Sequence, residues 1–236
     1  MGGEIGISAF RQQLGFRLMW LASSSWLRLS ADRIVYALPP SGAAAAVKHA
    51  AVVRVPLRVG ASLAPTLERL REHDPDHHYY PPDTLHVTLR KLGEFHPEDP
   101  GVAARLTELR DAVASHPSFD LTVRGLNLSP TTVFAEIIPH GRTFHSLGSQ
   151  LRGIAARSVH QSSSKRVLDA VTSNLAHANV VRFSGPVTAG LVKEVSRFRR
   201  ATFGRWTVRE IEFVRSDKLL SREGTYVIDQ IPLATF

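Results

Sequence analysis

The chain has 236 residues, of which 43% are hydrophobic and 21% charged, a composition typical of a folded globular protein. It contains no cysteine, which excludes disulfides, thiolate metal sites and cysteine nucleophiles. The 29 Lys and Arg residues outnumber the 21 Asp and Glu residues, and the net charge of +8 favours a polyanionic partner without establishing one.

Residues 1–48 are predicted to be an N-terminal extension, a helix followed by a linker. The apolar run at 18–22 is far shorter than the ~20 residues of a membrane span, and Arg17 interrupts it. We therefore expect no membrane segment, and either a packing helix or an extension without fixed structure. The helix is indicated by apolar residues at helical spacing: Phe10, Leu14, Leu18 and Leu21.

From residue 49 onward, an order of strand, helix, loop, His-bearing strand and helix occurs twice. The first cycle is predicted as a strand at 51–59, a helix at 62–71 with Ser62 as N-cap, a loop at 73–83, a strand at 85–89 and a helix at 101–114. The second is predicted as strands at 119–128 and 132–138, a helix at 143–156, a loop at 158–165, a strand at 175–183 and a helix at 187–199. Two strands, at 206–214 and 225–231, close the chain. This repetition predicts a bilobal α+β domain over 49–236, with lobes at roughly 49–115 plus the C-terminal strands and at 116–200.

Each cycle carries a histidine in a short strand. Side chains two residues apart point to the same face of a strand, so His86 shares a face with Thr88 in the stretch LHVTL. By the same reasoning, His177 shares a face with Asn179 in the stretch AHANV. Two such strands from two lobes predict two imidazoles and two hydrogen-bonding side chains around one point of a cleft.

This grouping suits metal-free cleavage of a phosphodiester. A histidine has an ordinary pKa of about 6.5, so one imidazole can act as general base while the other, protonated, acts as general acid. The side chain two residues on can donate a hydrogen bond to a phosphate oxygen. A single histidine in a strand is more often a half-buried structural residue, but a second copy in a matching place favours the catalytic interpretation.

The stretches LHVTL and AHANVVRF resemble the two signature strands of the 2H phosphoesterase superfamily, which includes 2′-5′ RNA ligase-like proteins and RNA 2′,3′-cyclic phosphodiesterases. The similarity covers roughly residues 50–233 and extends to Pro81-Pro82, to Arg182-Phe183 and to the ending EIEFVRSDKLLSREGTYVIDQIPL. The sequence departs from the family at Asn179, where the family usually has Thr or Ser.

The resemblance implies a bilobal fold in which two antiparallel sheets line a central cleft and helices lie outside. It implies that His86 and His177 are the acid–base pair and that Thr88 holds the phosphate; Asn179, in the equivalent place, can also donate to a phosphate oxygen. The implied activity is metal-independent hydrolysis of 2′,3′-cyclic phosphates on RNA ends or small nucleotides, related to 2′-5′ ligation and without a cofactor. We expect a cytoplasmic monomer. Asn179 also prompts an alternative, an RNA- or nucleotide-binding protein with a weakened or inactive cleft.

Other polar and aromatic residues near the motifs are candidates for substrate binding: Tyr79, Tyr80, Arg90, Arg182 and Tyr226. The adjacent tyrosines could stack on a base or pack in the core, and Tyr226 could face the cleft or anchor the sheet. Arg90, Arg182 and the neighbouring Lys91 could attract phosphate or be solvated. A cluster of His73, Asp74, Asp76, His77 and His78 could suggest a metal site, but no helix aligns these residues, and we favour a solvated loop.

Overall fold

A computed structural model describes five parts of the chain: residues 12–24, 48–93, 101–156, 175–217 and 220–235. The predicted linker before residue 48 and the predicted loop at 158–165 lie outside these ranges. Residues 12–24 are helical (α1). The other elements are β1 (Lys48–Arg54), α2 (Leu57–Arg71), β2 (His78–Tyr79), a 3-10 turn (Pro82–Thr84), β3 (His86–Gly93), α3 (Gly101–Ala114), β4 (Phe119–Leu128), β5 (Thr132–His140), α4 (Thr143–Ala156), β6 (His177–Arg182), α5 (Ala189–Arg197), β7 (Thr202–Val208), β8 (Glu210–Ser216) and β9 (Thr225–Pro232).

Two antiparallel sheets carry the two histidine strands. Sheet A has the strand order β3-β1-β8-β9, and sheet B has the order β2-β6-β5-β4-β7. Strand β3, with His86, contacts strand β6, with His177, so the two sheets meet at these strands. The predicted α+β architecture of two antiparallel sheets is therefore confirmed.

The helices cover the sheets in an exchanged arrangement. Helices α3 and α4 pack on sheet A, at β9 and β3, whereas α2 and α5 pack on sheet B, at β7 and β4. Each sheet is thus covered by one helix from the first half of the chain and one from the second. Apolar side chains of these four helices and of both sheets form one large buried cluster. The two sheets therefore share a single core, and burial of this shared surface is the main stabilising contribution. None of the helices in the described ranges is long and apolar enough to cross a membrane.

Helix α2 begins five residues earlier than the sequence predicts. The Val-rich stretch 51–59 favours a strand, but β1 ends at Arg54 and the helix starts at Leu57. Pro56 lies at the N-cap with φ −57°, where a missing N–H costs little. Ser62 is consequently not the N-cap; it lies inside the helix and donates to the Val59 carbonyl at 2.6 Å. The predicted strand at 206–214 is also wrong as a single element, since β7 and β8 belong to different sheets.

A close contact between α2 and the 3-10 turn fixes the start of β3. A Cβ atom at Gly60 would lie 2.4 Å from the Pro82 carbonyl oxygen, so only glycine permits this approach. Beside it, the Val55 N–H donates to the Leu85 carbonyl at 3.0 Å. These contacts hold the residues immediately before His86 against β1 and α2.

Helix α1 lies on the face of sheet B that carries Asn179. Phe16 is 1% exposed and packs with Phe134 and Leu175 in a separate apolar cluster. Phe134 pairs with Asn179 across β5 and β6, and directly paired residues point to the same face of a sheet. The Asn127 side chain donates to the Phe16 carbonyl at 2.9 Å. Part of the predicted N-terminal extension is therefore a packed component of the domain.

Replacement of Phe16 tests whether α1 stabilises the domain. We expect Phe16→Ala to lower the free energy of unfolding by about 3 kcal/mol, because it removes a buried aromatic ring between the helix and the sheet. Leu18→Ala is the matched control: Leu18 is 58% exposed on the same helix, and its loss should cost less than about 0.5 kcal/mol. Urea denaturation measures both. Equal, small effects of the two substitutions would contradict the docking of α1.

Candidate active site

The His86 imidazole has a defined orientation and tautomer. Its Nδ1 atom lies 3.0 Å from the carbonyl oxygen of Thr84, two residues earlier, and the residue is only 5% exposed. A carbonyl oxygen can only accept a hydrogen bond, so Nδ1 carries the proton of the neutral ring. The Nε2 atom is then the basic nitrogen, available for proton transfer.

His177 repeats this arrangement in the other sheet. Its Nδ1 atom lies 2.8 Å from the carbonyl oxygen of Leu175, again two residues earlier. The ring packs edge-on against Phe134, with centroids 5.4 Å apart. Here too Nδ1 donates and Nε2 is left as the basic nitrogen, so both imidazoles have the same tautomer.

The pairing of the two histidine strands agrees residue by residue. His86 pairs with Arg54 and Thr88 with Val52 on β1, just as His177 pairs with Glu136 and Asn179 with Phe134 on β5. The structure thus places each histidine and the hydrogen-bonding side chain two residues on along one face of its sheet, and the contact between β3 and β6 brings the two halves together. We call these two faces the cleft-lining faces. Thr88 and Asn179 are each half-buried. The two strand pairs form equivalent halves of one candidate site.

A bulge interrupts both histidine strands at the same place. On β3 the register shifts between Thr88 and Arg90, and Leu89 has no pairing partner on β1. On β6 it shifts between Asn179 and Val181, and Val180 has no pairing partner on β5. An extra residue reverses the alternation of faces beyond it. The residue that returns to the histidine face is therefore the fifth after the histidine and not the fourth.

Two cations occupy this fifth position. Lys91 pairs with Ala50 on β1, and Arg182 pairs with Thr132 on β5. Arg90, a candidate because it lies close to the first motif, instead pairs with Ala51, whose side chain belongs to the main core. The bulge therefore places Lys91, and not Arg90, on the face of His86.

Burial and nearby cations keep His86 neutral. Desolvation is the largest effect and lowers the His86 pKa to about 4, although the Thr84 carbonyl opposes it. The positive charges of Arg54 and Arg182, and that of His177 when its ring is protonated, lower this pKa further. Arg182 belongs to the opposite sheet, so its effect on His86 spans the cleft.

The His177 pKa is lowered as well. Part of the His177 residue is exposed to solvent. The protein nevertheless surrounds its ring closely, and desolvation is the largest effect on its pKa. The Leu175 carbonyl raises this pKa and the ammonium of Lys91 lowers it. Each histidine thus feels the fifth-position cation of the other half of the site, and both imidazoles are neutral at pH 7.

Beside His177, at its pairing partner Glu136 on β5, a buried polar network connects sheet B to α1. Glu136 is 7% exposed and accepts hydrogen bonds from Asn127 at 2.8 Å and Arg199 at 2.9 Å. Burial raises the Glu136 pKa, and Arg199 and Asn127 lower it. The Arg199 guanidinium also lies over the Trp20 ring of α1, 4.5 Å from its centroid. This network satisfies a charge that would otherwise be buried alone.

The corresponding position beside His86 is occupied by a cation. Arg54, the counterpart of Glu136, donates to Glu212 at 2.6 Å. Beyond Arg54, a pocket of about 590 Å³ opens between β1, α2 and the β7–β8 turn. Its lining includes Arg54, Arg58, Trp206, Arg209 and Glu212. The two halves of the site are therefore equivalent in backbone register but differ in charge.

His78 is a third histidine on the cleft face, which the sequence assigns to a loop. It pairs with Arg182 across β2 and β6, and its ring meets that of Tyr80 edge-on at 4.7 Å. Burial lowers the His78 pKa, Arg182 lowers it further, and Asp217 raises it. Strand β2 has only two residues, too few for alternation to reveal it.

The two adjacent tyrosines lie in the core. Tyr79 is 8% exposed and donates to the Asp74 carbonyl at 2.8 Å. Tyr80 is 3% exposed, and its hydroxyl accepts a long hydrogen bond from Arg182 Nε at 3.5 Å. Tyr80 thus helps to orient the fifth-position arginine.

Tyr226 is 64% exposed on the edge strand β9. It pairs with Arg215, which pairs with His49 on β1. Lys91 pairs with Ala50, the next residue of β1, and consecutive residues of a strand point to opposite faces. The register therefore places Tyr226 on the sheet face opposite Lys91.

The predicted solvated loop at 73–83 is partly buried. Asp74 accepts hydrogen bonds from the Thr188 N–H at 2.9 Å and hydroxyl at 3.1 Å, and it is 8% exposed. His77, also 8% exposed, packs against the Phe183 ring at 5.1 Å. These residues fasten the loop to the segment that leads into α5. Nowhere in the described ranges do three or more His, Asp or Glu side chains form a group that could hold a metal ion.

No family model matches the chain, and no curated protein matches it in sequence. Solved structures do match its fold. The protein TT0787 of Thermus thermophilus is 21% identical, with a TM-score of 0.59 over 78% of this chain and 97% of that chain. A crystal structure of a phosphoesterase is 20% identical, with a TM-score of 0.56 over 80% and 99%. Escherichia coli LigT in complex with 3′-AMP is 18% identical, with a TM-score of 0.56 over 80% and 98%. The chain therefore has the fold of these proteins over nearly their whole length.

The buried, neutral His86 predicts a loss of stability in acid. With a folded pKa of about 4, below the ordinary 6.5, the unfolded chain binds more protons between these values. Stability therefore rises with pH across this window and falls as pH drops through it, by about 3 kcal/mol between pH 7 and pH 4. We expect His86→Gln to lack this contribution, so that its unfolding free energy from urea titrations falls less steeply with acid. If the unfolding free energies of parent and variant fell equally with decreasing pH, the prediction would be wrong.

Proposed function

We propose that the protein is a 2H-type phosphoesterase that hydrolyses 2′,3′-cyclic phosphates on RNA ends or small nucleotides. The observation that carries this proposal is the equivalence of the two halves of the site. Each half presents a neutral imidazole whose Nδ1 is held by a backbone carbonyl, with a hydrogen-bonding side chain two residues on. Two basic nitrogens and two polar side chains around one cleft suit a phosphate held between an acid and a base.

The fold comparisons support this proposal. The structures that share the fold include a phosphoesterase and E. coli LigT. LigT has been crystallised with phosphate, 3′-AMP, ATP and NADP+, all of which carry phosphate groups. A phosphate-bearing ligand in the equivalent cleft of this chain agrees with its net charge of +8.

In the proposed reaction, the Nε2 atom of one histidine accepts a proton from water as the water oxygen attacks phosphorus. The bond from phosphorus to the 3′ oxygen breaks, and the Nε2–H of the other histidine protonates that oxygen. The product is a 2′-phosphate with a free 3′ hydroxyl, the base has gained a proton from water, and the acid has lost its proton to the 3′ oxygen. The bound phosphate anion favours the protonated imidazole, so substrate raises histidine pKa values that the empty cleft lowers.

Thr88 and Asn179 are proposed to donate to the two non-bridging phosphate oxygens. The Thr88 hydroxyl and the Asn179 amide are both neutral donors, and their hydrogen bonds become stronger as negative charge builds on these oxygens in the transition state. Arg182 supplies a full positive charge beside them, and its effect on the His86 pKa agrees with a position at the cleft. The Asn179 amide differs in length from a hydroxyl, so we expect it to affect the rate more than the location of binding.

Substitution of either histidine tests the mechanism. We expect His86→Ala and His177→Ala each to lower kcat on adenosine 2′,3′-cyclic phosphate by about 10²-fold or more, because each removes a proton-transfer group. His73→Ala is the matched control, since His73 is exposed at the end of α2 and should leave kcat unchanged. Turnover is measured in the presence of a chelator.

Retained turnover in either histidine variant would rule out the two-histidine mechanism, and dependence on added metal would rule out the proposed class. The alternative, an RNA- or nucleotide-binding protein with an inactive cleft, is favoured by one specific feature, Asn179. A parent protein that binds the nucleotide without turnover, together with activity in Asn179→Thr, would favour this alternative.

The histidine pKa values also predict an acidic optimum. The free protein must hold one neutral and one protonated histidine, and the pKa values of both lie below the ordinary 6.5. As pH rises above the higher of the two, the acid loses its proton and kcat/KM falls. We therefore expect a bell-shaped profile of kcat/KM with its maximum below about pH 6.5. A maximum above about pH 7 would contradict this assignment of charge states.

A further inference from the structure

Lys91 is the counterpart of Arg182 in the other half of the site. Each lies five residues after its histidine and beyond a bulge of one residue. Lys91 pairs with Ala50 and Arg182 pairs with Thr132, and both of these positions are on the cleft-lining face of their sheet. Lys91 and Arg182 are therefore equivalent by their positions in the strand registers, whatever charge their side chains carry.

The two cations differ in exposure and in chemistry. Arg182 is half-buried, and its Nε atom donates to the Tyr80 hydroxyl. Lys91 is exposed on β3 and carries a compact charge on a flexible stem. A fixed, planar guanidinium suits a phosphate in one defined position, whereas an exposed ammonium can reach an anion whose position varies.

A cyclic phosphate does not require both cations. It carries one negative charge and two non-bridging oxygens, and Thr88, Asn179 and Arg182 already provide two neutral donors and one positive charge. Along β1, the partner of Lys91 lies two residues from the partner of Thr88, a separation of about 7 Å. That is about the distance from one phosphate to the next in an extended nucleotide chain. Lys91 is therefore placed for a second anionic group.

We infer that Lys91 binds a phosphate on the 5′ side of the nucleotide whose cyclic phosphate lies between the two histidines. This inference rests on the proposed function and narrows its substrate class. The preferred substrates are RNA 3′ ends and 5′-phosphorylated nucleoside cyclic phosphates, in which such a phosphate is always present. Nucleoside cyclic phosphates without a 5′-phosphate lack the group that Lys91 recognises.

Steady-state kinetics on two substrates test the inference. Adenosine 2′,3′-cyclic phosphate is compared with the same compound carrying a 5′-phosphate. We expect Lys91→Met to raise KM for the 5′-phosphorylated substrate about tenfold more than KM for the other, the loss of one charge-assisted hydrogen bond. A change in the charge beside His177 acts on both substrates alike and cancels in this ratio. Lys91→Arg, which keeps the charge, should stay close to the parent on both.

Lys193→Met is the matched control for net charge. Lys193 is exposed on α5, outside the cleft, and the same substitution removes the same charge. A general electrostatic effect would raise KM equally in the two methionine variants. That result would overturn the inference, as would an equal change on both substrates in Lys91→Met.

Calorimetric binding separates this inference from the proposed function. Adenosine 3′,5′-bisphosphate and 3′-AMP differ only by the 5′-phosphate and need no turnover. Tighter binding of the bisphosphate by the parent, lost in Lys91→Met, supports the second anion site even if the parent hydrolyses neither cyclic phosphate. Equal affinity of the parent for the two ligands overturns it, whatever the catalytic result.

Discussion

The candidate site depends on one hydrogen bond made twice, from a histidine Nδ1 to the backbone carbonyl two residues before it. This bond selects the tautomer, directs Nε2 away from the backbone and holds the ring at the start of its strand. Neither carbonyl is positioned by the motif itself. Thr84 ends the 3-10 turn packed on Gly60, and Leu175 packs against Phe16 of α1. The geometry of a five-residue motif thus depends on elements far from it in sequence.

The bulge after each motif has an equally direct consequence. A regular strand would turn its fourth residue after the histidine toward the cleft, and the extra residue turns the fifth. In this chain the difference decides which charge faces the site, since Arg90 is followed at once by Lys91. Because the same bulge occurs in both sheets, each half of the site has a cation at the fifth position after its histidine, and each of these cations acts on the histidine of the opposite half.

Short-range patterns are enough to predict the α+β architecture and the strand faces of the motifs. Alternation puts His86 on one face with Thr88 and His177 on one face with Asn179, as the strand registers confirm. The misses have long-range causes. The bulge at Leu89 depends on pairing with β1, and β2 is a strand only because β6 lies beside it. The docking of α1 depends on a sheet formed more than a hundred residues later, and the start of α2 at Leu57 was hidden by valines with strong β propensity.

The departures from symmetry are as informative as the symmetry. In hydrolysis the general base must be neutral and the general acid protonated. Two histidines in identical surroundings would have no built-in preference for these two different protonation states. The chain places Arg54 opposite His86 and Glu136 opposite His177, and each is neutralised by a different partner, Glu212 or Arg199. Helix α1 fills the flank beyond Glu136, whereas the flank beyond Arg54 opens into a pocket. Equivalent backbones therefore place the two imidazoles in different surroundings, which would suit the proposed reaction, since its entering and leaving groups differ.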